Sequence, residues 1–249
     1  MATTALSNAY EAEIVYPDSD GKPMAENTIQ YQYLITIQVG LDRLFDQQPD
    51  VFVAGDLLWY PVKDHRDICA APDVMVVFGR AKGDRGSYKQ WEEGNIAPQV
   101  VFEILSPSNT ATEMRTKRKF YTRHGVEEYY EYDPDSGTLE VWQRAGDFLH
   151  LTTFVDEWRS PRLGISLKVE ADGKLGVYAP DGRKIEKPKD ALRNADFETS
   201  QAKAEATEAK AEAAEAKAEA VEAKAEATEA KDEVARLKAQ LHALGVDPS

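Results

Sequence analysis

The sequence predicts an α/β or α+β body with a central mixed β-sheet flanked by helices, and a separate C-terminal helix after it. The body reads as a helix, three strands, a second helix and further strands, an order typical of such sheets. Apolar residues make up 42% of the 249 residues and aromatic residues 9%, enough for a sizeable core. Composition then changes abruptly near Phe197, which predicts a folded domain over 1–197 and a distinct segment over 198–249.

The first half of the body predicts one helix and three strands. From Glu26 to about Phe45, apolar residues recur at spacings of three and four, which indicates an amphipathic helix. Three apolar segments follow, and the first is bounded by Pro49 and Pro61. The predicted strands are 51–60, 73–78 and 100–105.

The second half predicts another helix and a run of shorter strands. The polar segment 106–110 supplies helix-capping residues, so a helix is expected from about Ala111 to His124, with Gly125 ending it. Residues 134–137 form a turn sequence between two hairpin strands. The remaining predicted strands are 128–133, 138–142, 147–154, 165–169 and 174–179.

The C-terminal segment is an alanine-rich heptad repeat, because lysine returns every seven residues. The a positions are Ala206, Ala213, Ala220, Ala227, Val234 and Leu241. The d positions are Ala202, Ala209, Ala216, Ala223, Ala230, Leu237 and Leu244. The sequence thus predicts a helix with a seam of small residues that becomes Leu/Val-rich at its end.

Charges flank this seam in a fixed order. Glutamates 205, 212, 219 and 226 fall at g, and lysines 203, 210, 217, 224 and 231 fall at e. Parallel pairing sets Glu205 against Lys210 of a partner, whereas antiparallel pairing sets glutamate against glutamate. A homodimer or higher homo-oligomer through this coiled coil is one interpretation. A solvated single helix has comparable weight, since alanine favours helix and an alanine seam buries little area.

Composition excludes several classes of protein. No stretch of the sequence approaches the roughly 20 apolar residues that a membrane span needs, so we expect no membrane association. Cys69 is the only cysteine, which excludes an intrachain disulfide or a cysteine-rich zinc site. The opening residues lack the pattern of a secretory signal, so a cytoplasmic location is expected. The net charge of −14 disfavours non-specific adhesion to nucleic acid but allows a local basic site.

Glu103 is the first candidate for chemistry. It interrupts an apolar strand, where a carboxylate costs several kcal/mol unless it is paired, metal-bound or exposed. Asp73 begins the preceding strand. Neighbouring strands lie about 4.8 Å apart, so the two carboxylates could share a divalent ion. Oxygen ligands favour Mg²⁺ or Mn²⁺ over zinc.

These acidic residues also have structural interpretations. Asp73 could only cap a strand, and Glu103 could form an ion pair with Lys117 or Arg115. Asp56 could line the same site or face water.

The second helix carries further candidates. Glu113, Lys117 and Tyr121 lie on one face at i, i+4 and i+8. A lysine beside two carboxylates could hold a water or offset phosphate charge. A basic cluster on the same helix could follow a phosphate backbone, or could be a solvated face. Its members are Arg115, Arg118, Lys119 and Arg123.

Four ordered motifs resemble the putative restriction endonuclease family of the PD-(D/E)XK nuclease superfamily, over roughly residues 26–183. They are Ala71-Pro-Asp-Val-Met-Val-Val77, Pro98-Gln-Val-Val-Phe-Glu-Ile-Leu-Ser-Pro-Ser108, Glu113-x-x-x-Lys117-x-x-x-Tyr121 and Gly125-Val-Glu-Glu-Tyr-Tyr130. The resemblance implies a restriction-endonuclease-like fold, with acidic residues on adjacent strands that bind magnesium for phosphodiester hydrolysis.

Carried over by motif, the resemblance implies that Asp73 and Glu103 are catalytic metal ligands. Glu26 matches the glutamate that many superfamily members carry on the first helix. The superfamily's usual lysine lies two residues after the acidic strand residue, where this chain has Leu105, and the family places a lysine at Lys117 instead. Family members commonly have aspartate at the position of Glu113.

The sequence therefore predicts a magnesium-dependent endodeoxyribonuclease, a hydrolase that binds DNA. Its catalytic residues would be Asp73, Glu103 and Lys117, with Glu26 and Glu113 in support. The alternative is a weak or inactive scaffold with the nuclease fold that binds nucleic acid or a protein partner. The displaced lysine and the acidic net charge favour that alternative.

Overall fold

The structure is a computed structural model that describes residues 14–19, 21 and 23–243. The chain divides into two compact units, residues 1–188 and 189–249. The helices are α1 (Thr28–Leu44), α2 (Ala111–Arg123) and α3 (Pro188–Ala243), with a short 3-10 helix over Gln90–Glu92. The first six strands are β1 (Val51–Gly55), β2 (Trp59–Tyr60), β3 (Val74–Phe78), β4 (Tyr88–Lys89), β5 (Val100–Ile104) and β6 (Glu128–Asp133). The others are β7 (Thr138–Ala145), β8 (Phe148–Thr152), β9 (Glu157–Arg159), β10 (Ser166–Val169) and β11 (Leu175–Tyr178).

The centre of the first unit is a six-stranded sheet in the order β1-β3-β5-β6-β7-β8. Its strands pair antiparallel except β5 and β6, which pair parallel across the connection that contains α2. A three-stranded sheet, β11-β10-β9, and a two-stranded sheet, β2-β4, accompany it. The predicted fold class, a mixed sheet flanked by helices, is confirmed.

Strand alternation divides the core between the two faces of the large sheet. Phe102 and Ile104 of β5 pack into one cluster with Leu34 and Ile37 of α1. Val101 of β5 packs into the other cluster, which contains residues of α2 and β6. Because successive side chains of a strand point to opposite faces, Glu103 projects on the same side as Val101, towards α2.

The predicted strand over 51–60 is broken in the structure. β1 ends at Gly55. Asp56 follows with a φ of 48°, in the left-handed region that interrupts an extended chain. The Asp56 N–H lies 3.1 Å from the carbonyl oxygen of Pro72 and 3.2 Å from that of Asp73. The break therefore ties Asp56 to the segment that carries Asp73.

Helix α2 has the caps that its sequence predicts. The Thr110 hydroxyl accepts a hydrogen bond of 3.2 Å from the Glu113 N–H. This bond satisfies a backbone donor of the first turn. The helix ends at Arg123. Gly125 follows with a φ of 96°, a conformation that favours glycine.

The second unit is the long helix. α3 begins at Pro188, earlier than the predicted boundary at 198. Proline suits the first turn of a helix, because it has no N–H to leave unpaired there. Residues 192–240 are all exposed. Within the described ranges, no helix is long and apolar enough to cross a membrane. The opening residues 1–13 and the seam position Leu244 lie outside the described residues.

Candidate active site

Strands β3 and β5 bring the two predicted carboxylates together. Their antiparallel register pairs Val74 with Phe102, so Asp73, one residue earlier, lies opposite Glu103. The Ile104 N–H donates a hydrogen bond of 2.6 Å to Asp73 Oδ2. Asp73 is 7% exposed and Glu103 2% exposed, so two acidic groups are buried at one level of the sheet.

Helix α2 covers this pair with two donors. Lys117 Nζ lies 2.8 Å from Glu103 Oε2, and the Tyr121 hydroxyl donates to Glu103 Oε1. Lys117 and Tyr121 are one helical turn apart, so a single face of α2 satisfies both oxygens of the carboxylate. Burial of Glu103 is compensated in this way.

Burial and the neighbouring charges together shift the pKa of Asp73. Burial, aided by the negative charges of Glu103 and Asp56, raises the pKa of its carboxyl to about 8. The Ile104 N–H and the Lys117 ammonium act in the opposite direction. At neutral pH, Asp73 thus holds a proton in the absence of another cation.

Burial and the negative charge of Glu103 also shift the pKa values of Lys117 and Tyr121. Burial alone would lower the pKa of the Lys117 ammonium, but the charge and hydrogen bond of Glu103 raise it above its usual value. Burial and the Glu103 charge also raise the pKa of Tyr121 well above normal. Lys117 is therefore cationic and Tyr121 neutral at physiological pH.

The donor set fits a divalent cation of the magnesium type. Mg²⁺ takes oxygen ligands, keeps several waters, and is commonly bound by one or two carboxylates together with substrate phosphate. Asp73 and Glu103 supply two carboxylates, and their mutual repulsion is the kind that a cation relieves. Among the residues described, no group of three His, Cys, Asp or Glu side chains has metal-binding geometry.

Glu26 lies at the loop that follows β5. Its Oε2 accepts hydrogen bonds from the Ser106 hydroxyl, at 2.7 Å, and from the Ser108 hydroxyl. Glu113 lies at the same loop, where Asn109 Nδ2 is 3.4 Å from Glu113 Oε2. The structure brings both predicted supporting residues to the edge of the site, in contact with loop residues.

Gln30 connects α1 to the site and was not predicted from the sequence. Its buried side chain donates from Nε2 to the Ile104 carbonyl oxygen at 3.0 Å and accepts from the Glu26 N–H at 3.0 Å. The sequence contained a signal for this role, because Gln30 precedes Leu34 by four residues and therefore lies on the core-facing side of the helix. A glutamine there implies a specific partner.

The chain is similar in sequence to a known protein family. The family Uma2, described as "Putative restriction endonuclease", matches residues 13–171, which is more than half of the chain. The chain belongs to the Uma2 family. This confirms the resemblance drawn from the four motifs and supports a nuclease function in general terms.

One solved structure that resembles this Uma2 protein is described as a putative nuclease belonging to DUF820, from Anabaena variabilis ATCC 29413. The two share 19% sequence identity, with a TM-score of 0.42, over 57% of this chain and 77% of the other. No curated protein matches the chain.

In this Uma2 chain, Leu105 occupies the position at which the superfamily usually has a lysine. Leu105 is half-buried, and its N–H donates to the Tyr132 carbonyl oxygen at 2.8 Å, which continues the pairing of β5 with β6. The cation at Glu103 comes instead from Lys117 on α2.

The face of the six-stranded sheet that carries Glu103 also carries two more acidic residues of the Uma2 chain. Glu131 of β6 is in register with Glu103, and Glu140 of β7 is in register with Glu131. Arg118 lies 3.5 Å from Glu140 and 4.0 Å from Glu131, and its guanidinium is 3.9 Å from the centre of the Trp142 ring. Arg118 thus has partners within the protein.

The other members of the predicted basic cluster are exposed. They are Arg115, Lys119 and Arg123. Of the four residues predicted to bind nucleic acid, these three offer their side chains to solvent.

Proposed function

We propose that this chain is a divalent-metal-dependent endonuclease that hydrolyses phosphodiester bonds of DNA. The observation that carries the proposal is the buried pair of carboxylates, Asp73 and Glu103, opposite one another on β3 and β5 with Lys117 above them. Membership of a family described as a restriction endonuclease supports the same chemistry.

Each residue has a role in the proposed reaction. Asp73 and Glu103 would hold Mg²⁺, or Mn²⁺, which when bound activates a water and offsets negative charge on a phosphate. For Asp73 to act as a ligand, the proton on its carboxyl must leave. Lys117 would orient the attacking water or stabilise charge that develops on the phosphate. Glu26 and Glu113 would support the loop that follows β5.

DNA would contact the protein through α2. Arg115, Lys119 and Arg123 are exposed on the helix that also carries Lys117. They lie about half a turn round α2 from Lys117, so they would hold flanking phosphates on the side of the helix away from the carboxylates. Arg118 would take part only by leaving Glu140 and Trp142. A single cysteine, Cys69, and a DNA substrate fit a reducing compartment, and we propose the cytoplasm.

The second candidate is a scaffold with the nuclease fold that binds a nucleic acid or protein without cleaving it. It is favoured by the complete pairing of Glu103, whose two oxygens already accept from Lys117 and Tyr121. Metal binding separates the candidates, because a nuclease needs a metal at these carboxylates and a scaffold does not.

The test combines metal titration by calorimetry with plasmid cleavage in the same magnesium buffer. We expect Glu103→Gln to abolish metal binding, and Glu103→Gln and Lys117→Ala to abolish cleavage. The matched control is Glu131→Gln, which makes the same change at the neighbouring strand in register with Glu103. Cleavage that survives in both site variants would overturn the proposal, and absence of metal binding in the wild type would favour the scaffold.

A homo-oligomer assembled through residues 198–249 is part of the proposal. Its geometry follows from the charges of α3.

A further inference from the structure

The charges of α3 are arranged for contacts between helices. From 198 to 231, no glutamate lies three or four residues from a lysine, the spacing at which charges attract on one helix. Glutamates instead lie four residues from one another, which is unfavourable in a single helix. These pairs are Glu208 with Glu212, Glu215 with Glu219, Glu222 with Glu226, and Glu229 with Glu233.

The only ion pair found along the described part of α3 is between Arg193 and Asp190 in its first turns. A single solvated helix that is polar on all sides is stabilised by many ion pairs along its own surface. The repeat does not form such pairs, although α3 extends from Pro188 to Ala243. Its charges are therefore placed to attract a neighbouring helix more than one another.

Apolar residues mark the face that such a partner would cover. Val234 and Leu237 are 52% and 49% exposed, and they occupy consecutive a and d positions of the heptad. A β-branched residue at a with leucine at d favours two parallel strands. This end of the helix would therefore supply the apolar contact of a dimer.

We infer that α3 pairs with α3 of a second copy of this chain, parallel and in register. In this arrangement every g glutamate meets the e lysine of the next heptad on the partner. The pairs are Glu198 with Lys203, Glu205 with Lys210, Glu212 with Lys217, Glu219 with Lys224, Glu226 with Lys231, and Glu233 with Lys238. Antiparallel pairing would set glutamates against glutamates and lysines against lysines, so charge complementarity selects the parallel dimer.

The first test measures the mass of the full-length protein by sedimentation equilibrium. The wild type is expected at twice the chain mass of 27.8 kDa. Val234→Asp, at an a position, should weaken dimerisation at least about tenfold. Val221→Asp is the matched control, because Val221 is 63% exposed on the same helix but at the outward b position. A single-chain mass for the wild type, or equal weakening by both variants, would overturn the inference.

The second test measures orientation by disulfide cross-linking in a Cys69→Ser background. Ala209→Cys places a cysteine at d, where parallel in-register helices bring the two copies within bonding distance. Ala211→Cys places one at the outward f position and serves as the control. Rapid cross-linking of the d variant alone is expected. Failure of the d variant in a protein of dimer mass would overturn the parallel register.

The inference does not rest on the proposed nuclease function. Mass and cross-linking are measured without substrate or metal, so a chain without cleavage activity could still dimerise, and an active chain could still be monomeric.

Discussion

At the scale of single residues, Asp73 makes the stability of the metal-free protein depend on pH. Its folded-state pKa of about 8 lies above its ordinary value, so the folded state holds a proton that the unfolded state releases. The stabilisation is complete below about pH 4 and is lost as pH rises through about 8. The effect is on the order of a few kcal/mol.

We therefore expect the thermal midpoint of the metal-free wild type to decrease, relative to that of Asp73→Asn, as the pH is raised from about 5 to about 9. Asparagine resembles the protonated carboxyl and keeps an acceptor for the Ile104 N–H. The measurement is thermal unfolding with chelator across this pH range. Parallel pH profiles for the two proteins would show that Asp73 does not hold the proton.

Tyr121 is expected to act as a positioning residue for Glu103. Tyr121→Phe removes one of the two donors to this carboxylate, and loss of such a hydrogen bond typically weakens metal affinity about 10- to 100-fold. Tyr129→Phe is the control, because this neighbouring buried hydroxyl donates to Glu131 instead. Calorimetry with Mn²⁺ measures both variants. If Tyr121→Phe binds Mn²⁺ as tightly as the wild type does, the hydroxyl of Tyr121 only stabilises the fold.

The sequence was sufficient to predict which carboxylates meet but not what surrounds them. Asp73 and Glu103 stand out because each is acidic beside apolar strand residues. The left-handed conformation of Asp56 depends on hydrogen bonds to residues 72 and 73, which are distant in the chain. Such tertiary contacts leave no periodic signal in one sequence.

At the scale of elements, α2 determines whether Lys117 reaches the site. The Thr110 hydroxyl caps its first turn, and removal of such a cap costs about 1 kcal/mol. Thr110→Ala should lower unfolding free energy by about this amount and reduce cleavage, whereas Thr110→Ser should retain both. Denaturant unfolding and a plasmid assay check the pair. Full activity in Thr110→Ala would mean that contacts of Tyr121 and Met114 alone hold the helix.

Helices α1 and α2 were predicted to within two residues, whereas the predicted strand 51–60 is broken in the structure, for a physical reason. α1 and α2 have caps and apolar spacing that are local in sequence, and both begin and end near their predicted limits. The segment 51–60 is otherwise apolar, and the pair Gly55-Asp56 was the one local sign of the break at Asp56, because glycine followed by aspartate is typical of turns. β4 and β9 are two and three residues long, too short for an alternating pattern.

At the scale of the whole molecule, a parallel α3 dimer would join two nuclease bodies through the same end of the coiled coil. Both bodies are connected to the N-terminal ends of their helices, and these ends lie together when the helices are parallel. If this dimer cuts one strand of a duplex, the second body would be present at high effective concentration near the other strand.

Plasmid cleavage should therefore distinguish paired from separate sites. The wild type should convert supercoiled DNA to linear product with little nicked intermediate, and Val221→Asp should behave in the same way. Val234→Asp should accumulate nicked circles before linear product appears, because each strand is then cut in an independent encounter. A time course resolved on agarose measures this, at protein concentrations below the dissociation constant of the variant. If Val234→Asp linearises the plasmid without a nicked intermediate while sedimenting as a single chain, one body cuts both strands and dimerisation serves another purpose.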